Sequence, residues 1–196
     1  MKKALLTSLI LFALNAQAES VFRRSNSAEP KSIDPQLASE NAGSNVIYDT
    51  FEGLVSNTAS GEITPGVAEK WEISEDGKTY TFHLRENAKW SDDTPVTAGD
   101  FVYAWRRAVN PATGGEYAFI LYPVKNAEAI ASGTEKNIEA LGIKAIDAHT
   151  VQVELNNPTP YFLDLTAHYI TYPIPQKIVE QYGDKWTQPG NIVSNG

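Results

Sequence analysis

Histidines and neighbouring tyrosines are the side chains of this sequence that could support chemistry at a site. His83, His149 and His168 lie far apart in the chain and show none of the local spacings of a zinc site. We interpret His83 as part of the exposed face of a strand and His149 as part of a turn. His168 precedes Tyr169 and Tyr172, and we keep it as a candidate ligand contact. A partly buried packing role is the alternative for His168.

The sequence lacks the motifs of covalent or phosphate chemistry. It has no nucleophile elbow, no phosphate-binding loop and no dinucleotide-binding fingerprint. Asp92 and Asp93 lie in a turn-like stretch, where turn formation explains them better than acid–base catalysis does. The chain has no cysteine, which excludes a disulfide or a thiolate metal site. We therefore predict a protein that is not an enzyme and has no catalytic residue, metal or cofactor. A secreted hydrolase that uses His168 and a nearby carboxylate is the alternative.

A run of aromatic and apolar residues, Tyr117–Pro123, could line a ligand pocket. Tyrosine combines an apolar ring with one polar atom, and this combination suits a binding surface. The same residues could equally belong to the core, so the pattern alone leaves both interpretations of Tyr117 open.

The first 18 residues have the pattern of a secretory signal peptide. Lys2 and Lys3 give a positive start, Ala4–Leu14 is a short apolar run, and Ala16–Ala18 supplies the small residues that a signal peptidase requires. We predict cleavage after Ala18 and export to the periplasm.

The charge of the mature chain is strongly negative. Removing Lys2 and Lys3 from the 16 basic residues leaves 14 against 24 acidic ones, which gives a formal charge of −10. Such a surface repels nucleic acid and anionic lipid, so we exclude both as partners. No later segment is long and apolar enough for direct membrane insertion. We expect a monomeric globular protein, since a hydrophobic fraction of 42% is ordinary for that class.

Strands and helices are mixed without the strict alternation of a doubly wound parallel sheet, so we predict an α+β (mixed α/β) fold. Two hairpins are expected, one of Trp71–Ile73 with Thr79–Leu84 and one of Ile143–Ile146 with Val151–Leu155. A leading strand is expected near Val21. The predicted helices are, in chain order, one capped by Ser44 and ended by Gly53, one that follows Thr97, Val124–Ser132, a short one from Pro158 to Leu165, and Pro175–Tyr182.

The stretch with the most conspicuous side chains holds two tryptophans, three aspartates and an arginine pair. Asp100 follows Thr97 at the spacing of a capping box, with an apolar helical stripe behind it. We predict that Trp90 and Trp105 pack in the core and that Arg106–Arg107 lie on the more exposed side of this helix. The stretch is therefore interpreted as scaffold.

Four stretches occur in the order seen in the peptide-binding members of the extracellular solute-binding protein family 5, and the chain therefore resembles that family. They are Asp49–Leu54, Pro65–Trp71, Tyr80–Arg85 and Lys89–Phe101. Three shorter stretches extend the similarity over nearly all of the mature chain: Ser32–Pro35, Leu141–Asp147 and Trp186–Val193. Members that bind oligopeptides are the most similar, followed by those that bind murein tripeptides.

The resemblance implies a fold like that of the type II periplasmic binding proteins, in which lobes close around a peptide and deliver it to an inner-membrane ABC permease. It implies that residues 19–51 begin lobe I, that 52–175 form an inserted lobe II of hairpins and helices, and that 176–196 return into lobe I. It also implies a much longer chain, so we expect the N-terminal portion only, a fragment or truncated copy with weakened binding. A β-branched run near Ile192 looks like the start of a strand and fits that expectation. A lobe that contacts the permease without binding ligand is a further alternative.

The resemblance also implies where short peptides bind. In such proteins the peptide lies as an added strand, its main chain paired to protein backbone and its side chains in hydrated pockets. Ser39, Glu40 and Asn41 match a pairing segment, and Tyr117 matches an aromatic residue that faces the peptide; with His168 they form the predicted peptide-binding set. Ser39 stands where a relative has a glutamate, so only a backbone contact is carried over there. Since the opposite wall is not matched, we expect no binding at micromolar affinity.

One turn departs from the family pattern. Asp93 stands where relatives carry a glycine, just after Trp90. If the turn keeps a positive φ, aspartate adopts it at a small cost, so we predict a slightly strained turn.

Overall fold

The computed structural model describes residues 23–196, and its centre is an antiparallel sheet. Two short strands, β1 (Val55–Asn57) and β2 (Ile63–Pro65), form a separate pair. The larger sheet combines two hairpins, and its strands are β3 (Ala68–Ile73), β4 (Thr79–Leu84), β5 (Ile143–Asp147) and β6 (Thr150–Glu154). Because β4 pairs with β6, the spatial order is β3-β4-β6-β5. Both predicted hairpins are confirmed, while the predicted signal peptide and leading strand at Val21 lie outside the described residues.

The alternation of side chains in β4 explains why the sheet has one buried face. Tyr80, Phe82 and Leu84 are buried, whereas the residues between them are partly exposed. Opposite β4, Val151 and Val153 of β6 are fully buried. A period of two therefore sends one set of side chains into the core and leaves the other at the surface.

The described chain has five α-helices: α1 (Asn41–Thr50), α2 (Ala98–Val109), α3 (Ala127–Ala131), α4 (Phe162–Thr166) and α5 (Gln176–Tyr182). Helix α2 packs on strands β5 and β6 of the larger sheet. The predicted mixture of helices and antiparallel strands is confirmed. The prediction that Ser44 caps the first helix was wrong, because α1 already begins at Asn41 and its N-cap, Glu40, has no side-chain capping bond. Ser44 instead donates to the Asn41 carbonyl at 3.2 Å. α3 is also shorter than predicted. None of the helices in residues 23–196 is long and apolar enough to span a membrane.

Helix α2 is capped and buried as predicted. The backbone N–H of Thr97 donates to Asp100 Oδ2 at 2.8 Å, and the Thr97 hydroxyl donates to the same oxygen at 3.0 Å. Trp90 and Trp105 are both buried. The indole N–H of Trp105 donates to the Thr171 carbonyl at 2.8 Å and so joins α2 to a 3-10 turn at the far side of the core.

Arg106 and Arg107 lie on the less buried side of α2, as predicted, but the ion pair that Arg107 forms was not predicted. The Arg107 guanidinium forms a bidentate pair with Asp34, at 2.8 and 2.7 Å, and the two side chains are only 15% and 5% exposed. The Trp186 indole N–H donates to the same carboxylate at 2.7 Å, and Gln36 accepts from Arg107 at 2.9 Å. We call Asp34, Gln36, Arg107 and Trp186 the Asp34 cluster. It joins α2 to two segments that are distant in sequence.

The predictions for the turn at Asp93 and for the segment near Ile192 have different outcomes. Asp93 has φ +68°, so the positive φ expected at this turn is confirmed. The strand expected near Ile192 is not formed within the described chain. There, the backbone N–H of Gly196 donates to the Thr50 carbonyl at 3.0 Å, and the Ser194 carbonyl accepts from the Ser91 N–H at 2.7 Å.

Candidate functional site

The predicted pairing segment Ser39–Asn41 lies between the Asp34 cluster and α1. Within residues 23–196, the backbone N–H groups of Ser39, Glu40 and Asn41 donate to no acceptor. Backbone N–H groups are strong donors that normally find a partner, in protein or in water. The segment therefore presents donors without an acceptor in the described chain, and alternate ones are of the kind that an added peptide strand pairs with.

Two tyrosine hydroxyls donate hydrogen bonds to backbone carbonyls in this segment and just before it. The Tyr117 hydroxyl donates to the Ser39 carbonyl at 3.4 Å, and the Tyr169 hydroxyl donates to the Ala38 carbonyl at 3.0 Å. Tyr117 precedes the 3-10 segment Ala118–Leu121, so it reaches Ser39 from a different part of the fold. The structure thus places Tyr117 at the predicted segment, half-buried and with its hydroxyl engaged.

Tyr117 belongs to a row of rings that we call the aromatic strip. Its members are Phe119, Tyr117, His168, Tyr169, Tyr48 and Tyr172. Neighbouring ring centroids lie 4.2 to 6.1 Å apart, mostly edge to face, which is the favourable range for aromatic pairs. Phe119 is 55% exposed and Tyr48 is 48% exposed, so the strip offers apolar surface to solvent.

His168 is a packing member of the strip and is uncharged at neutral pH. Its ring lies 4.2 Å from that of Tyr169 and 5.4 Å from that of Tyr117. Burial lowers the pKa of His168 from 6.5 to about 4. Its Nδ1 accepts from the Ile170 N–H at 3.2 Å, which leaves the ring proton on Nε2.

Burial also determines the charge state of the tyrosines. It raises the pKa of Tyr48, Tyr169 and Tyr172 above the ordinary value, because an ionised phenolate would lose hydration there. The three hydroxyls are therefore protonated at neutral pH. Within residues 23–196, no group of three His, Cys, Asp or Glu side chains could hold a metal ion.

Glu40 and Asn41 have different surroundings from the other predicted site residues. Glu40 Oε1 accepts from the Lys31 N–H at 2.8 Å, so its carboxylate holds an upstream loop. Asn41 is exposed as the first residue of α1. The structure therefore brings Ser39, Tyr117 and His168 together, while the Glu40 side chain is occupied elsewhere.

The Asp34 cluster fixes the Ser39–Asn41 segment relative to the aromatic strip. The Gln36 side-chain amide donates to the carbonyls of Ile170 and Tyr172 at 3.3 and 3.4 Å. These bonds link the segment just before Ser39 to the segment that contains Tyr169 and Tyr172 of the aromatic strip. Gly115 leaves the space for this approach, because a Cβ there would lie 2.3 Å from the Gln36 carbonyl oxygen. The segment and the strip are thus fixed relative to each other.

Sequence reasoning missed several residues of this surface. The Ser39 hydroxyl donates to Glu116 Oε1 at 3.2 Å, a contact between residues 77 positions apart. Tyr48 and Tyr169 were likewise not predicted as site residues. Glu116 could have been noticed because it precedes Tyr117 in the sequence. Nothing in the sequence, however, indicated that Ser39 and Glu116 would be in contact.

The chain is similar in sequence and in structure to known proteins. A sequence model described as "Bacterial extracellular solute-binding proteins, family 5 Middle" matches residues 62–196. The periplasmic oligopeptide-binding protein OppA of Salmonella typhimurium is 50% identical over 175 residues, which are 88% of this chain and 32% of that protein.

Two solved structures are also similar. The Escherichia coli murein tripeptide binding protein MppA superposes with a TM-score of 0.82 at 46% identity, over 86% of this chain and 33% of that one. Haemophilus influenzae OppA in complex with the peptide RPPGFSPFR gives a TM-score of 0.84 at 48% identity, over 87% of this chain and 34% of that one. The chain spans about a third of the length of these relatives.

Proposed function

The chain belongs to family 5 of the bacterial extracellular solute-binding proteins, and from this we propose that it acts in peptide uptake as the periplasmic binding component of an ABC transporter. The relatives described above are named for binding oligopeptides or a murein tripeptide. The chain spans only about a third of their length, so their ligands do not carry over to it directly. Its own ligand is inferred from the surface formed by Ser39–Asn41 and the aromatic strip.

The observation that carries the proposal is the set of N–H donors at Ser39–Asn41, which have no acceptor within residues 23–196 and lie beside the aromatic strip. A peptide in extended conformation can pair its carbonyls with alternate donors of this set, as in β-strand addition. Its side chains then lie over rings such as Phe119 and Tyr117, which supply apolar contact without requiring one sequence. Main-chain pairing combined with adaptable side-chain contact suits a protein that accepts many short peptides.

The wider organisation follows from the same proposal. Residues 19–51 and 176–196 contribute to lobe I and residues 52–175 form lobe II. The protein works as a monomer in the periplasm, reached through the signal peptide at residues 1–18, and it passes peptides to an inner-membrane ABC permease. Its acidic surface disfavours nucleic acid as a partner.

Binding without catalysis is the form of activity that we propose. The Nδ1 atom of His168 accepts the Ile170 N–H, so it cannot donate to a carboxylate in the way that orients a catalytic histidine. Within residues 23–196 no acidic side chain pairs with this ring. A hydrolase would have to turn over peptides under the conditions in which the chain binds them, and mass spectrometry of the incubated peptide tests this directly.

Titration of the ¹⁵N-labelled chain with trialanine, followed by NMR, tests the proposal. We expect shift changes concentrated at Ser39, Asn41, Tyr117 and His168. Tyr117→Ala should weaken binding, because it removes both a contact ring and the hydroxyl that holds the Ser39 carbonyl. Tyr161→Ala is the matched control, since Tyr161 is 59% exposed and belongs to no part of the strip.

The affinity should be weaker than micromolar, because an open surface leaves the bound peptide solvated and its hydrogen bonds correspondingly weak. Shift changes confined to other surfaces, or none at millimolar trialanine, would overturn the proposal. If the chain then still associated with membrane vesicles that contain the permease, the alternative of a permease-contacting lobe without ligand would replace it.

A further inference from the structure

Glu116 is a charged group of the candidate peptide surface that the sequence did not single out. Its Oε1 accepts from the Ser39 hydroxyl at 3.2 Å, and Ser39 is also the residue whose carbonyl binds the Tyr117 hydroxyl. Glu116 is exposed. None of the ion pairs found within residues 23–196 includes it. The carboxylate is therefore held at the surface without a cation beside it.

Glu116 and Phe119, a member of the aromatic strip, line the same surface cavity. The pKa of Tyr169 is raised by burial and, to a smaller extent, by the nearby Tyr117, Tyr48 and Glu116 groups. Phe119 lies on the other side of Tyr117, with ring centroids 5.8 Å apart, and is 55% exposed. A side chain that reaches Glu116 from a bound peptide would thus pass over exposed aromatic rings.

The three acidic groups within the segment and in the chain from there to residue 52 are already engaged. Glu40 accepts from the Lys31 N–H at 2.8 Å, Asp49 pairs with Arg24 at 3.1 Å, and Glu52 pairs with Arg85 at 2.6 Å. Those last two carboxylates have basic partners of their own. Glu116 is the acidic group that contacts the pairing segment directly and has no such partner in the described chain.

We propose that Glu116 is a specificity-determining residue that makes this surface favour peptides with a lysine or arginine side chain. The inference rests on the proposed peptide binding and names the class of peptide. The cation pairs with the Glu116 carboxylate while its stem and charge lie against the rings of Tyr117 and Phe119. An exposed ion pair combined with a cation–π contact corresponds to roughly a threefold to tenfold gain in affinity.

Three peptides that differ in one side chain test this inference: Ala-Lys-Ala, Ala-Gln-Ala and Ala-Glu-Ala. All three carry the same amino terminus, so differences among them report the central side chain, and the glutamine–glutamate comparison isolates its negative charge. NMR titration of the wild-type chain should give the order lysine, glutamine, glutamate from strongest to weakest. The lysine preference should shrink at high ionic strength, because salt screens exposed charges.

Glu116→Gln should reduce the ratio of lysine to glutamine affinities to about one. Glu75→Gln is the control, since it removes an exposed carboxylate from the β3–β4 turn and should keep the wild-type ratio. Equal affinities of all three peptides for the wild type would overturn the role of Glu116 and leave the proposed function standing. A lysine preference that survives in Glu116→Gln would do the same. Absence of binding by every peptide would overturn both.

Discussion

Replacing Arg107 by methionine should strongly destabilise the fold. The Arg107 guanidinium holds both oxygens of Asp34, at 2.8 and 2.7 Å, in a site where the side chains are 15% and 5% exposed. Methionine leaves that carboxylate buried without its cation. Removing one partner of a buried ion pair costs about 3–5 kcal/mol. Because the Trp186 indole and the Gln36 N–H still donate to Asp34, we expect the lower end, about 3 kcal/mol.

Urea unfolding followed by tryptophan fluorescence and circular dichroism measures this change in the free energy of unfolding. In thermal unfolding the same loss corresponds to a fall in Tm of roughly 6–12 °C for a chain of this size. Trp186 is a suitable reporter, because it is fully buried against Asp34.

Arg106→Met is the matched control on the same helix. Arg106 pairs with Glu139 at 2.6 Å, but Glu139 is 66% exposed, so its loss should cost less than about 1 kcal/mol. The double variant Asp34→Asn with Arg107→Met should recover part of the loss, since no buried charge is left unpaired. An Arg107→Met variant as stable as Arg106→Met would refute the buried-pair reasoning.

Two further changes follow from the geometry and from ionisation. Gly115→Ala should destabilise by about 1–3 kcal/mol in urea unfolding, because its Cβ would meet the Gln36 carbonyl oxygen at 2.3 Å. Gly99→Ala, which has room within α2, should instead be neutral or stabilising; equal effects of the two changes would contradict this reading. Since burial lowers the pKa of His168, its contribution to stability is full above pH 6.5 and is lost as the pH falls towards about 4. The wild type should therefore lose more stability on acidification than His168→Gln, and an NMR-titrated pKa near 6.5 would contradict this.

The parts of the fold that could be predicted are those governed by local patterns. Alternation in β4 and the spacing of Thr97 and Asp100 in α2 each involve residues a few positions apart, and both hairpins and this helix were predicted correctly. The order of motifs identified the family, which the match over residues 62–196 confirms. Ser44 was misassigned as a cap because the actual N-cap, Glu40, uses its side chain on Lys31 and so gives no capping signal.

The candidate site was less predictable, because it is assembled from distant segments. The ion pair of Arg107 was not predicted, since helical periodicity cannot reveal that Asp34, 73 residues away, lies beside it. The contact of Ser39 with Glu116 spans 77 residues and was equally invisible. Tyr117 was selected through the family resemblance, since the sequence pattern alone allowed either pocket or core.

The Asp34 cluster also bears on the order in which the molecule folds and opens. The bond of Trp186 to Asp34 joins residues 152 positions apart, and the Gln36 bonds to Ile170 and Tyr172 span 134 and 136. Closing such large loops is entropically costly, so short-range hairpins should form first and these contacts last. Just before the Ser39–Asn41 segment, the backbone N–H groups of Leu37 and Ala38 donate to the Asp34 carbonyl and so depend on these late contacts. We therefore expect these two N–H groups to be among the first to lose hydrogen-exchange protection when the native chain opens locally, well before the strands of the central sheet.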